Sequence, residues 1–263
     1  MPYLYLDSHR IYYEEGGRGP TLILLHHATG CTRDWKGHIA AFRQAGYHTV
    51  VYDRLGFGRS DPLEKWTPTY HHRDVAELLA LMDALHLERA GLVGHSDGAT
   101  IALLAAAAAP ERIAAVVAEA PHMWYDDRNV NDAFELFTTT IARSERFWKA
   151  MRRDHGPHAE QVLRRWHNTW MDPAMRQWDE RPQLAKIRCP VLVLHGRADF
   201  FFPVDHSSQI ADAITGATFH LFEDAGHIPH QETPAEFRRL VLSFLAATYP
   251  AIHTSPAGEA PAG

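Results

Sequence analysis

Short apolar runs and segments of helical periodicity take turns along this chain, and that alternation restricts the fold more than any other feature. Leu22–Leu25, His48–Tyr52, Ala90–Val93, Ile113–Ala118, Val191–Leu194 and Thr218–Phe222 are each of strand length. Helical spacing falls between them. Trp35 to Phe42 is ended by Gly46, Val75, Leu78, Leu79, Met82 and Leu85 form a second stripe, and Thr100–Ala109 is stopped by Pro110. Ser207–Ile214 and Pro234–Leu245 resume the pattern near the end. Strands apolar on both faces and separated by helices predict an α/β fold with a mostly parallel central sheet covered by helices on both sides. Tyr3–Leu6 and Ile11–Tyr13 flank a polar turn and predict an antiparallel hairpin in front of it.

The rhythm stops between His122 and Leu184, where no strand pattern occurs. This stretch holds five of the seven tryptophans and the arginines 152, 153, 164 and 165. It reads as a helical insertion over the sheet. The expected organisation is therefore a core of residues 1–121 and 185–249, an insertion at 122–184, and a disordered tail from 250 to 263, rich in Pro, Ala and Gly. Met1–Tyr5 lacks the basic and apolar regions of a signal peptide, and the alanine-rich run before Pro110 is too short to span a bilayer. With only two cysteines, Cys31 and Cys189, a reducing cytoplasmic setting is expected. A net charge of −6 gives no electrostatic footprint for nucleic acid or an anionic membrane.

Gly94-His95-Ser96-Asp97-Gly98 joins a strand directly to a helix. In that context G-x-S-x-G is a nucleophile elbow: a tight turn exposes the serine hydroxyl, and the helix start favours developing negative charge. His227, in a loop between the last strand and the last helix, is placed to act as general base; His230, three residues on, is the decoy. Asp199 follows the strand Val191–Leu194, and a helix and a strand fit between it and His227. The acid of a triad holds the imidazole tautomer. Glu119, at the end of a neighbouring strand, competes for that role. Two backbone N–H groups must hold the oxyanion, and the register points to those of Ala28 and Asp97.

These blocks resemble the α/β-hydrolase superfamily over residues 3 to 247. Asp53 to Ser60 resembles its D-x-x-G-x-G-x-S loop, Val191–Pro203 its acid block, and Gly226-His227 its histidine block. The insertion resembles the caps of small esterases, lactonases and the valacyclovir-hydrolase-like group, whose nucleophile is likewise followed by Asp. The resemblance implies the fold and a Ser96, Asp199, His227 triad. The glycines at 56 and 58 lack the third glycine and following helix of a dinucleotide site, and the histidine pairs at 26–27 and 71–72 lack metal-site spacing. Tyr70-His71-His72-Arg73 reads as the start of a solvated helix.

The expected chemistry is hydrolysis of a small-molecule carboxylic ester or lactone through an acyl-enzyme, with neither metal nor organic cofactor. Cleavage of a C–C bond in a β-diketone is the alternative within the fold, and a non-catalytic small-molecule receptor the alternative outside catalysis. Candidate pocket residues are His27, Trp124, Phe134, Phe137, Trp148, Trp170 and Phe200, with Phe201 and Phe202 beside it. An ionised Asp97 next to an oxyanion would oppose the reaction. Pairing with His27 is one expected remedy, acceptance of backbone hydrogen bonds at the helix start is the plainer alternative, and recognition of a substrate cation is a further use of the charge.

Overall fold

The computed structural model describes residues 3–63, 65–128 and 130–251. The tail expectation therefore falls outside the described residues from 252 onward. Eight strands form one sheet: β1 (Tyr3–Leu6), β2 (His9–Gly16), β3 (Thr21–Leu25), β4 (His48–Tyr52), β5 (Ala90–His95), β6 (Ile113–Glu119), β7 (Val191–Gly196) and β8 (Thr218–Phe222). Their order is β1-β2-β4-β3-β5-β6-β7-β8; β1 and β2 pair antiparallel, and every pair from β4 to β8 is parallel. Helices α1 (Lys36–Gln44), α2 (Tyr70–Ala84), α3 (Asp97–Ala108), α8 (Val204–Asp212), α9 (Pro229–Glu232) and α10 (Pro234–Thr248) belong to the sheet layers. Between β6 and β7 lie α4 (Val130–Thr139), α5 (Glu145–His155), α6 (Ala159–Trp170) and α7 (Arg181–Leu184). No described helix is long and apolar enough to cross a membrane.

The pleat divides the core in two. On β3, Ile23 and Leu25 join Leu78, Leu81, Ile101 and Val193 on one face; Leu22 and Leu24 join Trp35, Phe42, Val117, Phe237 and Val241 on the other. Each such fully buried side chain contributes roughly 1.5–3 kcal/mol. The start of α3 presses directly on the end of β3: a Cβ on Gly98 would meet the Leu25 carbonyl oxygen at 2.2 Å.

Strand order reverses at β3, which has β4 on one side and β5 on the other. The loops leaving the carboxyl ends of β3 and β5 diverge there and open a crevice, the usual ligand position in such sheets. The inserted helices are tied to the loops after β3 and β4 by His155, whose Nδ1 accepts from Gly58 N at 2.9 Å while Nε2–H donates to Thr29 O at 2.9 Å. Arg165 adds bonds to the carbonyls of Gly56 and Leu63.

Candidate active site

Ser96 sits at the turn from β5 into α3 with φ 54° and ψ −120°, a left-handed backbone that costs a non-glycine residue about 1–3 kcal/mol. The flanking glycines make the turn possible, since a Cβ on Gly94 would lie 2.2 Å from the Gly98 carbonyl oxygen. His227 arrives from the loop between β8 and α9, and Asp199 from the loop after β7. Gly196 permits that meeting, because its absent Cβ would lie 2.0 Å from Gly226 O.

The three groups form a hydrogen-bonded row. His227 Nδ1–H donates to Asp199 Oδ2 at 2.7 Å, and His227 Nε2 lies 3.1 Å from Ser96 Oγ, placed to accept its proton. Asp199 Oδ1 accepts from the N–H groups of Phe201 (2.8 Å) and Phe202 (3.3 Å). Burial would raise the Asp199 pKa, but the charge and hydrogen bond of His227 hold it below the ordinary carboxylate value. Burial likewise works against a charged His227; the charge and hydrogen bond of Asp199, with smaller help from Glu119 and Glu232, lift it above the ordinary imidazole value. Such a row can remove the proton of a hydroxyl as that hydroxyl attacks a carbonyl. Ala28 and Asp97 both line the same cavity as Ser96 and His227.

Glu119 does not reach His227. Its Oε1 accepts from His230 N at 2.6 Å and its Oε2 from His230 Nδ1–H at 2.7 Å, so both oxygens are committed to the decoy histidine.

The expected pairing of His27 with Asp97 is not formed. His27 Nε2 turns to Asp34 Oδ2 at 3.3 Å, and Thr29 N–H donates to its Nδ1. Burial drives the His27 pKa down to about 3 and that of Asp34 up to about 7, so in mildly acidic solution the contact joins two neutral groups. Asp97 turns inward instead. Its Oδ1 accepts from Tyr70 OH at 2.9 Å and His122 Nε2–H at 3.1 Å, with His71 Nε2 at 3.6 Å, while Arg54 Nη2 lies 4.0 Å from Oδ2. Burial raises the Asp97 pKa, but His122 and His71 outweigh it and hold the group ionised well below its ordinary value. A carboxylate so enclosed is not presented to a substrate cation. The same cage corrects the reading of α2, since Tyr70 and His71 are buried rather than solvated.

A cavity of about 980 Å³ opens above Ser96. His27, Phe134, Phe137, Trp170 and Phe200 line it, as do Phe201 and Phe202. Trp124 and Trp148 do not. Trp124 stacks on His206 of α8 at 3.5 Å, and Trp148 donates its Nε1–H to Ala142 O at 2.7 Å. On α5 the cavity is lined by Phe147, Ala150, Met151, Arg153 and Asp154, and Trp148, rotated about 100° from Phe147, is not among them. Trp166 was not singled out from the sequence, although its spacing of one helical turn from Trp170 is the signal that shares a face.

A family model described as the alpha/beta hydrolase family matches residues 22–240. The chain belongs to that family. It is 30% identical over 267 residues to the 2-hydroxy-6-oxo-6-phenylhexa-2,4-dienoate hydrolase of Comamonas testosteroni, covering 91% of this chain and 92% of that protein. It is 27% identical to the human serine hydrolase BPHL, covering 90% and 83%. Among solved structures, the enol-lactonase of Burkholderia xenovorans LB400 superposes with a TM-score of 0.74 at 22% identity, covering 93% of this chain and all of that one. The α/β-hydrolase fold expected from the sequence is thus the observed one, and the protein is a hydrolase.

Proposed function

We propose that this hydrolase cleaves uncharged carboxylic esters or lactones with a bulky apolar acyl group, through a Ser96, His227, Asp199 triad. The observation that carries the reading is the hydrogen-bonded row ending on Ser96 Oγ at the floor of an aromatic cavity. Ser96 Oγ attacks the ester carbonyl while its proton passes to His227 Nε2. The N–H groups of Ala28 and Asp97 hold the oxyanion of the tetrahedral intermediate. On collapse, the alkoxide leaves with the proton from His227, and the acyl group remains on Ser96. Water, losing its proton to the same imidazole, then releases the acid and restores the hydroxyl. Asp199 holds the tautomer and stabilises the imidazolium. Residues 122–184 serve as a cap whose rings, chiefly Phe134, Phe137, Trp166 and Trp170, accept the acyl body.

Cleavage of a vinylogous diketone is the second reading, favoured by the relatedness to the dienoate hydrolase. The lining chemistry weighs against it. A dienoate brings a carboxylate, yet the cavity cations, Arg33 and Arg153, both pair with Asp154, at 3.4 and 2.6 Å. Asp224 and Glu232 add negative charge to the same lining, while Glu223 is paired with Arg197. The test compares p-nitrophenyl esters of increasing acyl length with 2-hydroxy-6-oxo-6-phenylhexa-2,4-dienoate, in wild type and Ser96→Ala. Turnover of the esters, lost in Ser96→Ala, supports the ester reading. A kcat/KM for the dienoate well above that for any ester overturns it.

A further inference from the structure

The ends of β5 and β6 hold more chemistry than the triad uses. Glu119 and His230 are both fully buried, and the carboxylate is doubly bonded to the backbone N–H and ring of His230. His230 stacks on Trp35 at 4.7 Å, and its carbonyl accepts from His38 Nε2–H at 2.9 Å. His95, one residue before Ser96, donates Nε2–H to the carbonyl of His227 itself at 2.8 Å. Ser96 N–H in turn donates to the Glu119 carbonyl at 2.8 Å. The segment carrying His227 is therefore gripped at His227 itself from β5 and, three residues later in α9, at His230 from β6, by the two residues that also fix Ser96. Burying a carboxylate to hold one backbone N–H and one ring would be costly if an apolar contact could serve.

We propose that Glu119 is a positioning residue of this site: through His230 it fixes the loop that aims His227 at Ser96, and its carboxylate supplies a second negative charge beside that imidazole. The proposal rests on the triad reading above.

Titratable groups face His227 from every element packed around it. Asp199 and His195 face it from β7 and its following loop, Glu119 and His122 from the end of β6, His95 from β5, His27 from the loop after β3, and His230 and Glu232 from its own loop. Burial holds His27, His95, His122 and His195 below the ordinary imidazole value, so these stay neutral where His227 titrates. The carboxylates of Asp199, Glu119 and Glu232 each favour its protonated form.

Two substitutions separate charge from geometry. Glu119→Gln keeps an acceptor for His230 N–H and removes the charge; His230→Asn keeps the charge and removes the ring. The assay is the pH profile of kcat/KM on a p-nitrophenyl ester, with kcat and KM at the plateau. We expect the acid limb of Glu119→Gln to move to lower pH. We expect His230→Asn to leave that limb in place and to lose roughly 10–100-fold in kcat at an unaltered KM, the penalty of a misaimed base. An acid limb of Glu119→Gln superimposed on wild type, or a wild-type kcat in His230→Asn, overturns the proposal. If Glu119→Gln fails to fold, the kcat result for His230→Asn decides alone. Wild type provides the separate control: absence of ester turnover and of fluorophosphonate labelling at Ser96 would refute the triad reading, whereas active wild type with unaffected variants refutes only the role of Glu119.

Discussion

Asp199→Asn is the substitution whose consequence the geometry dictates most fully. One carboxylate oxygen already accepts from Phe201 N–H at 2.8 Å and Phe202 N–H at 3.3 Å, and the other accepts from His227 Nδ1–H at 2.7 Å. An asparagine must keep its carbonyl on the two backbone donors, because turning it would place N–H against N–H in a buried site. Its NH2 then faces His227 Nδ1, which can respond only as an acceptor. The imidazole proton is forced to Nε2, where it confronts Ser96 Oγ at 3.1 Å and can no longer take the hydroxyl proton. Loss of tautomer control in a triad lowers kcat by about 10⁴-fold, roughly 5.4 kcal/mol of transition-state stabilisation. The two backbone hydrogen bonds survive, so the melting temperature should fall little. Glu119 cannot substitute for the lost acid, because His230 occupies both of its oxygens. The assay is kcat on a p-nitrophenyl ester, with thermal melting followed by circular dichroism in parallel. Activity within tenfold of wild type in a folded Asp199→Asn protein would refute the tautomer argument.

Four further outcomes follow from the same geometry. Because His227 titrates above the ordinary imidazole value of 6.5, activity should rise with pH through that higher value. The stability contributed by protonated His227 should run oppositely, complete below about 6.5 and lost as pH rises through the folded-state pKa; chemical denaturation across pH 5 to 9 reads it. Asp97→Ala should destabilise by about 3–5 kcal/mol, seen as a fall of roughly 6–20 °C in Tm, because it strands the buried donors of Tyr70 and His122 and removes a counter-charge from Arg54. Phe137→Ala should cost about 10–100-fold in kcat/KM on esters of large apolar acids while sparing the acetate, because it removes one buried wall of the cavity.

The parallel sheet is legible in the sequence because β3, β5, β6 and β7 are buried on both faces and so read as unbroken apolar runs. Strand order is not written locally; it emerges from right-handed crossovers once the elements exist. The positions of Ser96, Asp199 and His227 are legible through their places at strand ends. The partners chosen by other charged groups are not. Glu119 and His230 stand in the sequence as rivals to the triad, yet they satisfy each other, because two groups buried together must pair before either can serve elsewhere. The tryptophans of the insertion fail as a class for a similar reason. A tryptophan suits either packing or pocket, and only the helical phase of α5, packed against α6, turns Phe147 and Met151 to the cavity and Trp148 away.

Asp97 shows how the fold can admit a charge beside the proposed oxyanion hole. A carboxylate directly after Ser96 would repel the developing negative charge if its side chain shared the space of its own N–H. At the first turn of α3 the side chain turns away from the cavity, toward α2 and the segment after β6, and the proposed role needs only the N–H to face the crevice. There Arg54, itself anchored to Asp74 at 2.6 Å, lies across from Oδ2, and Tyr70, His71 and His122 surround Oδ1. The charge is thus balanced by a cation from the loop after β4 and becomes a tether that fixes residue 97 from below. Its buried partners come from α2, the β4 loop and the segment after β6, so the aim of one backbone N–H depends on three separate parts of the chain being folded. That dependence gives the Asp97 substitution a diagnostic form: a folded Asp97→Asn protein should retain the N–H and its cavity, and lose rate only as far as the loosened tether lets that N–H wander.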